Sequence, residues 1–157
     1  MGEVCSDDCG PWDLETPFCE ECRAANGIMF DVTAKDSIAI DTVETIVLPG
    51  LANVKLYTAS GRFNRQHSDK ESWIEIGSRA VAPTEESWIT FEFDFINLSK
   101  GETVSFYVAS SNKLKIGEDD DGVDDPIIQD EKIQFRSPGR AFVGETPFGK
   151  SYKGYSL

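Results

Sequence analysis

The sequence predicts an all-β fold, an antiparallel β-sandwich of jelly-roll or Greek-key type with a Cys-rich N-terminal extension. Three observations predict it. Short runs alternate apolar and polar residues with a period of about two, turn signals separate them, and no segment repeats with helical period. Without helical crossovers, about eight or nine short strands fit two packed antiparallel sheets, a closed barrel being the structural alternative. At 157 residues the chain suits a single hydrophobic core, and ten Phe, three Trp and four Tyr supply bulk for it.

Residues 1–26 form the extension and residues 27–157 the sandwich domain. All four cysteines, Cys5, Cys9, Cys19 and Cys22, fall in the extension. Two disulfides tying an irregular leader with Pro11 and Pro17 are the favoured reading, and they imply an oxidising compartment. The second reading is a tetrahedral structural zinc on four thiolates, which the C-x3-C and C-x2-C spacings permit. Asp7, Asp8, Glu20 and Glu21 would raise the thiol pKa values, which also disfavours a redox role for Cys19 and Cys22.

The strands follow in order. Ile28 to Ala34 sets Met29 on one face and Phe30, Val32 and Ala34 on the other. Ser37 to Leu48 places Ile38, Ile40, Ile46 and Leu48 around a polar centre, before Pro49-Gly50 ends it. In the third strand Val54, Leu56 and Thr58 alternate with Lys55 and Tyr57, up to Ser60-Gly61. Arg62 to Glu71 reads as a long polar loop. Trp73 to Val81 carries Gly77, the mark of a bulge.

Trp88 to Phe95 alternates most clearly, with Ile89, Phe91, Phe93 and Phe95 directed to the core. Thr103 to Ser110 and a separate short strand at Leu114 to Ile116 follow the Lys100-Gly101 turn. Ile127 to Phe135 and Ala141 to Val143 complete the set. The glycines after Gly139 read as turns.

Several phrases resemble a known family: GIMFDVTA at Gly27 to Ala34, VKLYTASG at Val54 to Gly61, SWIEIG at Ser72 to Gly77, KGETVSFYVA at Lys100 to Ala109, and IQFRSPGRAF followed by TPFGKSY. Together they resemble an uncharacterised β-sandwich module, often in tandem, of large secreted or surface proteins of diatoms and marine microbes. The resemblance covers Ala25 to Tyr152 and implies fold and an extracellular or cell-surface setting, with no assigned active residues. The cysteine leader, the acidic insertion and the short C-terminus depart from that pattern.

The net charge of −13 argues against nucleic acid, whose phosphates need clustered Lys and Arg. It also disfavours anionic lipid, and no apolar run reaches the roughly 20 residues of a membrane span. The start of the chain lacks the basic and apolar regions of a signal peptide, which fits a start within a longer secreted precursor.

Gly117 to Pro126 sets Asp119, Asp121 and Asp124 about Gly122, with Asp130 or Glu131 able to complete an oxygen shell for calcium. A solvated acidic loop is the plainer reading of the same residues. Tyr57, Trp73, Trp88 and Tyr107 are the candidate ligand-binding aromatics, because sugar rings stack on exposed aromatic planes; core or rim packing competes with that role. The single histidine, His67, falls in a polar loop, and no nucleophile elbow, phosphate loop or dinucleotide fingerprint is present.

The expectation is therefore a non-catalytic binding or structural module, glycan-binding and calcium-stabilised, with polysaccharide or another protein as partner. A protein–protein assembly module is the alternative, and a carbohydrate-active enzyme ranks third.

Overall fold

A computed structural model describes residues 23–63, 69–118, 126–129, 133–143, 147–148 and 150–156. Within them the chain is all-β. Its strands are β1 (Arg23–Ala34), β2 (Ile38–Val47), β3 (Ala52–Ser60), β4 (Ile74–Val81), β5 (Ser87–Leu98), β6 (Thr103–Glu118), β7 (Pro126–Gln129), β8 (Ile133–Val143) and β9 (Lys150–Ser156). A 3-10 turn, Lys70–Ser72, precedes β4. Among the described residues no helix is long and apolar enough to cross a membrane.

All pairings are antiparallel, and they curl the sheet nearly into a barrel. The organiser is β6. Its first half lies between β1 and β3, with Val108 opposite both Ile28 and Leu56. Its second half instead meets β2, where Lys115 faces Ile46 and Leu114 faces Val47. The sequence divides this region into two strands at the polar run Ser110 to Lys113, but the structure carries one bent strand through it.

Side chains explain how that bend is held. The Asn26 amide donates to the carbonyls of Ser110, Ser111 and Asn112, while Lys113 donates to Asn26 Oδ1 at 2.9 Å. Asn112 donates in turn to the Pro49 carbonyl at 3.0 Å, and Ser111 Oγ accepts from the Asn53 amide at 2.9 Å. Backbone groups freed from regular pairing thus find side-chain partners, as buried polar groups must. Asn26, on the extension side of the 26/27 boundary, therefore lies within β1.

The main core gathers Ile28, Phe30 and Val32 of β1, Val43 and Val47 of β2, Val54 and Leu56 of β3, Ile89 and Phe91 of β5, and Val104, Phe106 and Val108 of β6. Phe30 stacks on Phe106 with centroids 5.6 Å apart. Each fully buried large side chain contributes about 1.5–3 kcal/mol through removal from water. Gly77 does lie at a bulge, where the β3–β4 register shifts between Leu56 and Tyr57. A Cβ there would stand 2.6 Å from Phe91 Cδ1, so the missing side chain is what lets the ring close over β4.

Three expectations need correction. The β2–β5 register slips between Ile40 and Thr42, whose partners are Ile96 and Glu92, and this irregularity reverses the phase of both strands. On β2, Val43, Thr45 and Val47 therefore turn inward, while Ile46 comes to the outer side of the ladder. On β5, Ile89 and Phe91 are buried as expected, yet Phe95 is exposed and Leu98 is buried in its place. Finally, Gly154 lies within β9 rather than in a turn.

Candidate functional site

Two aromatic surfaces emerge, on opposite parts of the molecule. The first lies on the outer side of β1, β6 and β3, where cross-strand pairing lines up Met29, Tyr107 and Tyr57 in one row. The next row is Asp31, Ser105 and Ala59. Alternation alone puts these residues opposite the main core.

They are nevertheless covered. Phe63, Trp73 and Phe148 close over the rows and form a second apolar cluster with Met29, Ala59, Tyr107 and Ala109. Tyr107 is only 1% exposed and Trp73 only 7%. Tyr107 touches three rings, Phe148 at 4.7 Å, Tyr57 at 5.6 Å and Trp73 at 6.1 Å between centroids. Its own ring lies over Gly27, where a Cβ would meet Tyr107 Cε1 at 2.8 Å. Tyr107 and Trp73 are thus core residues rather than stacking platforms, and Tyr57 is a half-buried member of the same group.

Phe148 has φ 62°, a left-handed conformation that a bulky residue adopts only when its surroundings enforce it. Here its ring fills the space between Tyr57, Trp73 and Tyr107, and its N–H donates to Tyr107 Oη at 3.1 Å. Burial pushes the Tyr107 hydroxyl pKa up to about 12, against the lowering effect of the Phe148 N–H, so the phenol stays neutral.

Asp31 is fully buried beneath this cover. Its Oδ1 accepts from the Phe63 N–H at 2.9 Å and lies 2.7 Å from Ser105 Oγ. Ser105 Oγ also meets the Gly61 carbonyl. One hydroxyl hydrogen faces two acceptors, an arrangement fully satisfied when the carboxyl itself carries a proton. Burial raises the Asp31 pKa, against the hydrogen bonds from Ser105 and Phe63 and the Arg62 guanidinium, whose Nε lies 3.5 Å from Oδ2. The carboxyl thereby anchors Gly61–Phe63 to the sheet, and with it the start of the covering segment.

The second surface is the outer side of β2 and β5. Its first row runs Lys115, Ile46, Trp88 across β6, β2 and β5; the next pairs Glu44 with Thr90, and the third Thr42 with Glu92. Trp88 is 55% exposed. Thr90 Oγ1 donates to Glu44 Oε1 at 3.0 Å, and Lys115 pairs with Glu86 at 3.1 Å. The result is an open aromatic plane with hydroxyl and carboxylate groups beside it, the composition that sugar recognition uses.

The four candidate aromatics therefore separate: Tyr57, Trp73 and Tyr107 come together under cover, and Trp88 stands apart in solvent. Ile46, which sequence reading sets in one alternating series with Ile38 and Ile40, joins Trp88 outside. The acids Asp119, Asp121, Asp124, Asp130 and Glu131, the cysteines Cys5, Cys9, Cys19 and Cys22, and His67 lie outside the described residues. Among those described, no group of three or more His, Cys, Asp or Glu side chains is placed to hold a metal ion. No family model matches the chain, and no curated protein matches it.

Proposed function

We propose that this chain is a non-catalytic recognition module of a secreted or surface protein, a two-layered sandwich of jelly-roll type that binds polysaccharide on the outer side of β2 and β5. The single observation that carries this reading is Trp88, a large aromatic held exposed on a regular sheet ladder with Glu44, Thr90, Glu86 and Glu92 around it. A ring fixed on a strand presents area to a sugar with little ordering cost. The two-layered description is supported by the main core, which lies between the β2–β5 ladder and the strands β1, β6, β3 and β4.

The non-catalytic reading is supported by the use made of Asp31, a fully buried carboxyl whose bonds go to backbone and to Ser105 within the fold. Affinity electrophoresis against a panel of soluble polysaccharides tests the proposal: retention that disappears in Trp88→Ala supports it, and absence of retention on every polymer rejects it. Calcium stiffening belongs to the same reading and rests on the spacing of Asp119, Asp121 and Asp124; a melting midpoint unmoved by millimolar calcium rejects that part.

Protein–protein assembly is the second reading, favoured by exposed Ile74 on β4 and exposed Phe95 on β5. Among the described residues β4 forms a ladder only with β3 and β5 only with β2. Sizing over a wide concentration range separates this reading from the first.

A further inference from the structure

Resting on the carbohydrate reading and narrowing it, we infer that the Trp88 face takes polysaccharides that carry free amino groups and rejects those that carry carboxylates or sulfates. The charge laid out around the ring sets this preference. Glu86 stands two residues before Trp88, just ahead of β5, Glu44 sits opposite Thr90 in the neighbouring row, and Glu92 occupies the row beyond. Successive rows lie about 7 Å apart along a strand, so the carboxylates of Glu44 and Glu92 line the path of an extended chain crossing the ring, while Glu86 is paired with Lys115.

Two cations near the ring, among the described residues, are already engaged. Lys115 is held 3.1 Å from Glu86, and Arg79 of β4 turns its guanidinium onto the Thr90 carbonyl at 3.1 Å. What faces solvent is an indole with acids beside it. An ammonium group is attracted both to the face of a Trp ring and to carboxylates, with which it forms charge-assisted hydrogen bonds. The net charge of −13 acts in the same direction over longer range, drawing in polycations and repelling polyanions. A neutral sugar chain would use the ring alone, so the amine preference must weaken with salt while ring stacking persists.

Calorimetric titration of the full chain at mildly acidic pH, where the amines are protonated, tests the inference with three probes. These are a hexamer of β-1,4-linked glucosamine, its fully N-acetylated counterpart and an oligouronate of equal length. At low ionic strength the amine hexamer should bind about tenfold more tightly than the acetylated one, and the gap should close well above about 0.15 M salt. The double variant Glu44→Gln, Glu92→Gln should also close the gap while leaving the acetylated hexamer bound.

Equal, salt-insensitive binding of the amine and acetylated hexamers overturns the amine inference and leaves the carbohydrate reading standing. So does tighter binding of the oligouronate. Failure of all three probes to bind a chain that melts cooperatively overturns both readings. Wild-type affinity in Trp88→Ala, with an unchanged melting midpoint, places the ligand elsewhere and overturns the inference as well.

Discussion

The rows Met29–Tyr107–Tyr57 and Lys115–Ile46–Trp88 are built alike, each crossing three strands on the side away from the main core, each ending in an aromatic residue. One is roofed by Phe63, Trp73 and Phe148, and the other is bare. Strand alternation decides which side of a sheet a residue occupies, but the chain that passes over that side decides whether it meets water. The roof over the first row comes from outside its three strands, and Asp31 reaches up from β1 to hold the Phe63 end of it. Nothing among the described residues does the same for Trp88.

The sharpest way to break this comparison is to truncate a tryptophan on each side. Trp73→Ala should cost about 3–5 kcal/mol of stability in urea unfolding, the range for removing a large buried aromatic. Trp88→Ala should move stability by no more than about 0.5 kcal/mol, as exposed substitutions do. Similar losses for both would mean that the two surfaces are not buried and bare as described.

Smaller in effect is Gly77→Ala, which should destabilise by about 1–3 kcal/mol because the new methyl overlaps the Phe91 ring. A double variant with Phe91→Leu should recover part of that loss in the same unfolding experiment. Tyr107→Phe should cost about 1 kcal/mol by leaving the Phe148 N–H without its acceptor, and amide exchange at Phe148 should quicken by more than elsewhere in the sheet.

The subtlest contrast is in pH. Asp31 has a folded pKa raised above its ordinary value of 3.8, chiefly by burial. Protons therefore bind the folded chain more tightly at this site, and the stability they add appears as pH falls through the folded pKa, levels off below 3.8, and is lost as pH rises again. Comparing wild type with Asp31→Asn across that window should show wild type gaining relative stability as pH falls. The opposite slope would show a carboxyl stabilised in its charged form.

Much of the architecture is legible in the sequence because period-two alternation is a local signal. Ile28 to Ala34, Val54 to Tyr57 and Ile89 to Phe91 fall on the faces that their spacing predicts, and Gly77 marks its bulge. The phase reversal between Ile40 and Thr42 is not legible, since it depends on how β5 registers against β2. Phe95 and Ile46 are misplaced for that one reason. The unity of β6 is hidden too: Ser110 to Lys113 looks like a break, and the bonds that carry the strand through it come from residues distant in sequence, Asn26 above all, more than eighty residues away.

The site is less legible than the fold. Tyr57 and Tyr107 do lie opposite the core side of their strands, as alternation requires, yet nothing near them in sequence announces Phe63 or Phe148 as their cover. One partial signal existed, in that Gly27 offers the room over which the Tyr107 ring lies. Trp88 could be singled out as an aromatic on the polar side of its strand, with Thr90 and Glu92 beside it, but its company of Glu44 and Lys115 follows only from register.

The most direct test of the central contrast is polysaccharide retention of Trp88→Ala measured beside that of Tyr57→Ala, each with its melting midpoint. The account predicts that the Trp88 variant melts with wild type and loses retention, while the Tyr57 variant melts lower and, below its transition, is retained. Retention that follows Tyr57 and ignores Trp88 would contradict it.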